Sequence, residues 1–261
     1  MEIAVLIKQV PVDGEVRVDP ETRCLIRETA EMTINPADLN ALTAAILLKQ
    51  EQGGKVTVFT MGPEIGVKAL KTAIAMGADE AWLITDAAFA GGDTLGTARV
   101  LAAALQHSGN YDLILAGDAS SDGATGQVGE MTAELLGIPC AADARLVEFK
   151  DGGMEILRNY KEQKVRIRAE LPCMVTVGIG ANKPILPTIR SQMKANKLDI
   201  PRITNEDLKL DPGMVGKTGA RSLVTDLYTR EHSRKHAVML EGTPAEIAGE
   251  IRRLLQQEVS G

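Results

Sequence analysis

The stretch from Asp112 to Gly137 constrains the fold of this chain more than any other. An apolar run, Leu113–Ala116, is too short for a helix and predicts a buried strand. A loop of small residues follows, and the next apolar residues lie on one helical face until Gly137. A strand that feeds such a loop and a helix presents backbone amides to an anion. The pattern predicts a phosphate cradle for a nucleotide, although any tight strand-to-helix connection has a similar composition.

Short apolar runs alternate with helical patterns along the first half of the chain. Strands are predicted at Glu2–Val10, Lys55–Met61 and Glu80–Thr85, with helices between them. This alternation implies right-handed crossovers and a parallel sheet that is buried on both faces. Ligands of such sheets bind at the carboxyl ends of the strands. The strand ends expected to meet at that edge are Leu6, Met61, Asp86 and Gly117.

The pattern changes after residue 144. Strands are predicted at Leu146–Phe149, Met154–Tyr160, Lys164–Leu171 and Cys173–Ile179 without helices between them, which indicates an antiparallel extension of the sheet. Residues 182–219 contain four prolines and little periodicity, which is typical of an arm that wraps a partner subunit.

A capping pattern at Thr243–Glu246 then predicts a terminal helix with an apolar stripe. The predicted fold is therefore a doubly wound α/β domain with a mainly parallel sheet, an antiparallel extension and a C-terminal arm. Its predicted parts are a nucleotide-binding domain over residues 1–181, an extended arm over 182–240 and a helix over 241–261.

Composition excludes several classes of partner. The net charge of -6 gives no reason to expect nucleic-acid binding. No apolar run approaches the roughly 18 residues that suggest a membrane span, so no membrane insertion is expected. The three cysteines, Cys24, Cys140 and Cys173, are odd in number and far apart, which fits a reducing cytoplasm better than a disulfide framework. A cytoplasmic location is predicted.

No catalytic constellation is visible in the sequence. His107, His232 and His236 read as surface histidines, and no metal-ligand cluster, Walker loop or nucleophile elbow occurs. A hydrolase or kinase therefore has little support. An electron carrier needs none of these groups, because its chemistry belongs to the cofactor.

Several motifs resemble one known family. The loop from Gly117, with Asp122, Thr125 and Gln127–Gly129, resembles the nucleotide-binding loop of the electron transfer flavoprotein beta subunit. Val5–Pro11 resembles the start of that family, and the resemblance covers essentially the whole chain. It implies a heterodimer with an alpha subunit that carries a flavin, while the beta subunit holds either AMP or a second FAD. The implied nucleotide contacts are Leu6, Asn35, Pro36, Ala37, Asp38, Met61, Gly62, Ser120, Ser121, Asp122, Gly123, Ala124, Thr125, Gly126, Gln127, Val128, Gly129 and Met131.

Some of these residues also suit structural roles. The amides of Gly126 and Val128 could hold phosphate oxygens, whereas Asp122 is expected to take a hydroxyl or to cap the helix. Asn35 suits the position before a helix, and Asp38 suits its positive end. Lys8, at the end of the first strand, is expected to be solvated, and contact with a ligand is the alternative.

A second loop is similar to that of electron-bifurcating members of the family. Its residues are Phe89, Ala90, Gly91, Gly92, Asp93 and Thr94. In those members the loop is implicated in NAD(H) binding. There NADH reduces the beta flavin, and the two electrons are then divided between ferredoxin and the alpha flavin. The alternative is that Asp93 or Thr94 simply caps a helix.

Against bifurcation, Asp118–Ser121 replaces the Arg-Gln-Ala-Ile run of bifurcating relatives and is similar to carnitine-pathway homologues. The missing basic residue would leave a flavin pyrophosphate with less charge compensation. A bifurcating subunit with FAD and NAD(H) is our first hypothesis, and a conventional AMP-binding subunit that acts as an electron-transfer scaffold is its competitor. A stand-alone nucleotide-binding or nucleotide-hydrolysing α/β domain is the third.

The arm also carries a family motif. Pro187–Lys194 resembles the recognition loop, with Ile189 at the apolar position that engages partner dehydrogenases. The resemblance implies that Ile189, Arg190, Met193 and Lys194 contact an acyl-CoA dehydrogenase or a related reductase. A loop packed on its own domain would have the same pattern.

Overall fold

The structure is a computed structural model that describes residues 1–12, 17–18, 25–26, 31–223 and 239–259. Cys24, His232 and His236 lie outside the described residues. The chain divides into two units, Met1–Asp226 and Leu227–Gly261, and each is described by itself.

Strands and helices alternate through the first unit as the sequence predicts. The described strands are β1 (Glu2–Leu6), β2 (Gln9–Pro11), β3 (Arg17–Val18), β4 (Leu25–Ile26), β5 (Met32–Ile34), β6 (Lys55–Met61), β7 (Glu80–Ile84), β8 (Leu113–Gly117), β9 (Cys140–Lys150), β10 (Gly153–Tyr160), β11 (Gln163–Ala169), β12 (Cys173–Val177) and β13 (Arg202–Ile203). The helices are α1 (Pro36–Gln52), α2 (Val67–Met76), α3 (Thr94–Ser108), α4 (Val128–Leu136), α5 (Ile189–Ala195), α6 (Asn205–Leu208) and α7 (Gly216–Gly219), with α8 (Pro244–Val259) in the second unit.

The main sheet has nine strands in the order β11-β10-β9-β12-β8-β1-β6-β7-β13. All neighbouring strands from β9 to β13 in this order run parallel. Strand β10 pairs antiparallel with β9 on one side and with β11 on the other. The predicted α/β class, with a mainly parallel sheet and an antiparallel extension, is confirmed.

Two strand predictions are wrong in detail. Residues 173–179 were expected in the antiparallel extension, but β12 lies parallel between β8 and β9. All five residues of β12 are buried, because this apolar strand is covered on both faces as a central strand must be. The predicted first strand, Glu2–Val10, also breaks after Leu6: β1 joins the sheet, whereas β2 pairs with β5.

The side chains of β1 alternate between two cores. Ile3 and Val5 belong to a cluster that contains buried residues of α1 and α2. Ala4 and Leu6 belong to a second cluster with buried residues of α3. Because successive side chains of a strand point to opposite faces, helices cover both sides of the sheet. This double cover leaves the strand ends as the place where a ligand can reach the sheet.

The proline-containing segment after β12 packs on the first unit over much of its length. Asn182 exchanges hydrogen bonds with Asn40 of α1, with its carbonyl oxygen 2.7 Å from Asn40 Nδ2. Helix α5 packs against α2, and β13 pairs with β7 at the edge of the sheet. The wrapping of a partner by residues 182–240 therefore stays a prediction.

The second unit is described for residues 239–259 of its span. Helix α8 begins after the predicted capping residues, and Glu246 accepts hydrogen bonds from the Thr243 amide at 2.8 Å and from its hydroxyl at 2.7 Å. Ile251, Leu254 and Leu255 of its apolar stripe are exposed. No helix in the described part of the chain is long and apolar enough to cross a membrane.

Candidate nucleotide-binding site

The carboxyl ends of the parallel strands meet at one edge of the sheet. Strand β1 lies between β8 and β6, and Leu6 is in register with Ala116 on one side and Phe59 on the other. Gly117 directly follows Ala116 on β8, and Met61 lies two residues after Phe59 on β6. Three of the residues predicted to converge, Leu6, Met61 and Gly117, are therefore brought together at this edge, whereas Asp86 follows the end of β7, which pairs with β6.

Asp38 fixes two of these strand ends. Its Oδ2 accepts a hydrogen bond from the Lys8 amide at 2.6 Å, and its Oδ1 accepts one from the Gly117 amide at 2.9 Å. Gly117 has no room for a side chain, because a Cβ would overlap Asp38 Oδ1. Burial raises the pKa of Asp38 to about 7, although hydrogen bonds from Lys8, Asn35 and Gly117 oppose the rise. Asp38 therefore shapes the site with both of its oxygens already occupied by backbone amides.

Asn35 holds the loop after β8 rather than capping α1. Its side chain makes no capping hydrogen bond to a backbone amide of that helix. Instead Nδ2 donates to the Ala119 carbonyl at 2.9 Å, and Oδ1 accepts from the Ser121 amide at 3.1 Å. The capping role expected for its side chain is therefore wrong, because the neighbouring loop supplies a donor and an acceptor in better position.

An ion pair joins the end of β1 to the same loop. Lys8 Nζ lies 2.6 Å from Asp122 Oδ1 and 3.4 Å from Ser120 Oγ. Desolvation raises the pKa of Asp122, but the hydrogen bond and the charge of Lys8 outweigh it, so this pKa lies below its usual value. Lys8 is thus held by a carboxylate and is not a merely solvated lysine. Asp122 does not cap the helix, which begins only at Val128.

The start of α4 carries a row of open backbone amides. Within the described residues, the amide nitrogens from Thr125 to Glu130 have no hydrogen-bond partner, whereas the Met131 amide donates to the Gln127 carbonyl at 3.0 Å. Gly129 lets this helix approach β12 closely, since a Cβ there would overlap the Thr176 methyl group. The open amides, the helix dipole and nearby Lys8 together form an environment that favours an anion.

A second chain of polar contacts leads from the loop to β9. Thr176 Oγ1 donates to Asp118 Oδ1 at 3.2 Å and accepts from the Asp143 amide at 3.0 Å. Asp143 pairs in turn with Arg145 at 3.0 Å. No local sequence pattern indicates these contacts, because their partners lie on different strands. The loop therefore carries two acidic residues, Asp118, which accepts from Thr176, and Asp122, which pairs with Lys8.

The loop that includes Phe89–Thr94 is tightly packed. Asp93 caps α3 by accepting from the Gly96 amide at 2.9 Å, and its other oxygen accepts from the Arg221 amide at 2.6 Å and from the Ser222 amide at 3.1 Å. The Gly96 amide hydrogen bond outweighs desolvation and holds the pKa of Asp93 below its usual value.

This loop also touches the first one, since Thr94 Oγ1 lies 3.3 Å from Gln127 Oε1. Lys217 donates its amide to the Ala90 carbonyl at 2.8 Å, and Gly216 packs against Gly92. The segment Phe89–Thr94 therefore lies next to the proposed nucleotide loop. Its one described carboxylate, that of Asp93, already accepts hydrogen bonds from backbone amides.

The residues expected to contact a dehydrogenase lie on α5, away from these loops in the sequence. Ile189 is 84% exposed and Met193 is 61% exposed. Together with Arg190, Lys194 and Lys197 they line a shallow, open depression. This recognition patch, defined as these five residues, combines apolar side chains with positive charge.

The described residues contain no group of three or more histidine, cysteine or acidic side chains that could hold a metal ion. Cys140 and Cys173 are free thiols.

Comparison with known proteins supplies a family. A family model described as the electron transfer flavoprotein domain matches residues 23–208. The chain is 38% identical over 260 residues to electron transfer flavoprotein subunit beta of Thermoanaerobacterium thermosaccharolyticum, which covers 99% of this chain and 100% of the relative. It is 35% identical to the caffeyl-CoA reductase-Etf complex subunit CarD of Acetobacterium woodii over 99% of each chain. It is 34% identical to electron transfer flavoprotein subunit beta of Bacillus subtilis over 99% of this chain and 98% of the relative.

Proposed function

The chain belongs to the electron transfer flavoprotein family as a beta subunit, and we propose that it binds a nucleotide cofactor at the carboxyl edge of its parallel sheet. Members of this family act in electron transfer, and the beta subunit pairs with an alpha subunit. The proposal concerns which nucleotide this chain holds, which residues hold it and which proteins exchange electrons with the pair.

The row of open amides from Thr125 to Glu130 is the observation that carries the proposal. A phosphate placed there would accept hydrogen bonds from backbone groups that otherwise need water. The amides of Gly126 and Val128 are the proposed phosphate donors. The residue types fit such a group, because small side chains leave the backbone accessible and Lys8 supplies a positive charge nearby.

The other proposed contacts divide into two groups. Leu6, Met61 and Gly62 lie at strand ends and would border the nucleotide. Asn35 and Asp38 are engaged with the backbone, so their proposed role is to hold the loop and the strand ends in place. The remaining proposed nucleotide contacts are Pro36, Ala37, the loop residues 120–129 and Met131.

We propose FAD as the nucleotide and electron bifurcation as the activity. Bound to this subunit, FAD would supply the redox chemistry that connects NADH with ferredoxin, the alpha flavin and a partner acyl-CoA dehydrogenase or reductase. Two observations support this choice. One relative is named as a subunit of a caffeyl-CoA reductase-Etf complex. In addition, Thr94 Oγ1 of the Phe89–Thr94 loop, the proposed NAD(H) contact, lies 3.3 Å from Gln127 Oε1 of the proposed nucleotide loop.

A conventional subunit with AMP is the second candidate, and the charge of the loop favours it. Asp118 and Asp122 lie in the loop, and Lys8 is already paired with Asp122. A single phosphate needs less positive charge than the diphosphate of FAD. The third candidate, a stand-alone nucleotide-binding or nucleotide-hydrolysing domain, loses its support because the chain belongs to a family of paired subunits.

The recognition patch on α5 is the proposed contact for the partner dehydrogenase. Ile189, Arg190, Met193 and Lys194 are its central residues, and the exposure of Ile189 leaves that side chain available. An apolar residue amid positive side chains suits a partner surface with an apolar pocket and an acidic rim.

Cofactor counting tests the proposal. The full chain is co-expressed with its alpha subunit, and FAD and AMP are released and quantified per heterodimer. Two FAD support the first candidate, and one FAD with one AMP supports the second. Absence of both flavin and partner would overturn both in favour of a stand-alone domain.

NADH then tests bifurcation separately. Added without oxygen to a complex with two FAD, it should bleach the visible flavin band. Two bound FAD without bleaching would contradict NADH oxidation while leaving the cofactor assignment in place.

A further inference from the structure

Lys8 forms its ion pair with Asp122 from a backbone that is itself held by hydrogen bonds. The Lys8 amide donates to Asp38 Oδ2 at 2.6 Å, and its carbonyl accepts from the Asn35 amide at 2.9 Å. The backbone of Lys8 is therefore held on both sides, and the freedom of this residue lies in its side chain. That side chain is 48% exposed, whereas the side chain of Asp122 is 15% exposed.

An ion pair of this kind is easily exchanged. A half-exposed ammonium group gains little net stability from one carboxylate, because water screens the pair and the lysine stem must be ordered. A phosphate offers more acceptor oxygens and forms stronger charge-assisted hydrogen bonds. The neighbouring cation Arg145 is less available, since it pairs with Asp143 at 3.0 Å and donates to the Ile179 carbonyl at 2.7 Å.

We propose that Lys8 is a phosphate-binding residue of the nucleotide site and that Asp122 is its resident counter-ion, displaced when the phosphate enters. Asp122 thereby lowers the affinity for phosphorylated ligands, since each must compete with it for the ammonium group. This inference rests on the proposed nucleotide site and adds a specificity-determining pair to it. The Ser120 hydroxyl lies 3.4 Å from Lys8 Nζ. It offers the ammonium group a neutral acceptor both with and without bound phosphate.

Titration calorimetry on the heterodimer, freed of its bound nucleotide, tests the pair. The ligands are AMP and FAD, with adenosine and riboflavin as counterparts without phosphate. Lys8→Gln should weaken binding of the phosphorylated ligand about ten-fold or more, and Asp122→Asn should strengthen it several-fold. Both variants should leave the affinity for the phosphate-free counterpart unchanged.

The double variant distinguishes displacement of Asp122 from Lys8 by the phosphate from simple charge repulsion between Asp122 and the phosphate. If Asp122 acts by occupying Lys8, then Lys8→Gln with Asp122→Asn should bind like Lys8→Gln alone. An equal gain from Asp122→Asn in both backgrounds would overturn the displacement. Weaker binding by Asp122→Asn would overturn it as well, because Asp122 would then contact the nucleotide directly.

A matched control is available at the opposite edge of the sheet. Lys55 Nζ lies 2.6 Å from Glu80 Oε1, the same separation as in the Lys8 pair, and Lys55→Gln should leave nucleotide affinity unchanged. Failure of the wild-type complex to bind either AMP or FAD would remove the proposed function itself. Wild-type binding that Lys8→Gln does not weaken would remove this inference alone.

Discussion

The carboxylate of Asp38 lies 2.9 Å from the backbone nitrogen of Gly117, although the two residues are 79 positions apart. The same carboxylate also receives the Lys8 amide, so one side chain at the start of α1 joins the ends of β1 and β8. Because the loop of the candidate site leaves β8 directly after Gly117, its starting direction depends on this clamp.

The buried carboxylate should make stability depend on pH. The pKa of Asp38 is about 7 in the folded chain, well above its ordinary value. Between pH 4 and 7 the folded state therefore keeps a proton that the unfolded chain releases. This contribution to the free energy of unfolding is complete below about pH 4 and is lost as the pH rises through about 7, with a limiting slope of about 1.4 kcal/mol per pH unit.

Asp38→Asn should remove that slope. The variant should also lower the free energy of unfolding by about 1 to 3 kcal/mol at pH 5. The reason is that the NH2 group of the new asparagine would face one of the two backbone amides that Asp38 now accepts from. Urea unfolding at pH 5, 6 and 7 measures both effects. The difference between wild type and variant should shrink as the pH rises, and parallel profiles would contradict the raised pKa.

Gly117→Ala should destabilise the first unit by about 1 to 3 kcal/mol or more. The new Cβ would overlap Asp38 Oδ1 and lie 2.8 Å from the Ala37 Cβ, so the strand end and α1 must separate. Gly62→Ala is the control at the same edge, since a Cβ there meets nothing within 4 Å. Thermal unfolding of both variants gives the comparison, and equal stability would show that the close approach has no energetic cost.

Asn35→Ala should loosen the loop without unfolding the sheet. The Ser121 amide and the Ala119 carbonyl lose their partners, so amide exchange over residues 118–124 should speed up about ten-fold. Nucleotide affinity should fall several-fold, because binding must then order the loop. Hydrogen exchange read by mass spectrometry checks the first effect and calorimetry the second. Asn196→Ala, at an exposed position after α5, should change neither.

Ile189→Ala should slow electron transfer with the partner dehydrogenase by about ten-fold or more while leaving stability and cofactor content unchanged. The side chain is 84% exposed, so truncation leaves no cavity in the fold. Stopped-flow reduction of the partner measures the effect. Leu146→Ala, at an exposed apolar position on β9, serves as the control. Equal rates for the two variants would place the dehydrogenase contact elsewhere.

Sequence reasoning predicts the parts of the fold that depend on local pattern. The runs at β6 and β8 are short, apolar and followed by turn residues, so their type and ends follow from periodicity. The handedness of the crossovers then brings Leu6, Met61 and Gly117 to one edge. No knowledge of side-chain contacts is needed for that step.

The contacts that finish the site are long-range, and no local pattern encodes them. Lys8 and Asp122 are 114 positions apart, and each is equally compatible with a solvated surface. Asn35 has a good capping sequence around it, yet the loop after β8 takes its side chain. The place of β12 had a usable signal: Cys173–Val177 is almost wholly apolar, as a strand with both faces covered should be.

The insertion of β12 beside β8 also constrains when the proposed nucleotide can bind during synthesis of the chain. The Asp118 amide, at the start of the loop, donates to the Val177 carbonyl at 3.0 Å. A nascent chain that has emerged from the ribosome only as far as α4 therefore possesses the loop but lacks the strand that anchors it. Nucleotide binding should therefore wait until Val177, the last residue of the anchoring strand, has emerged from the ribosome.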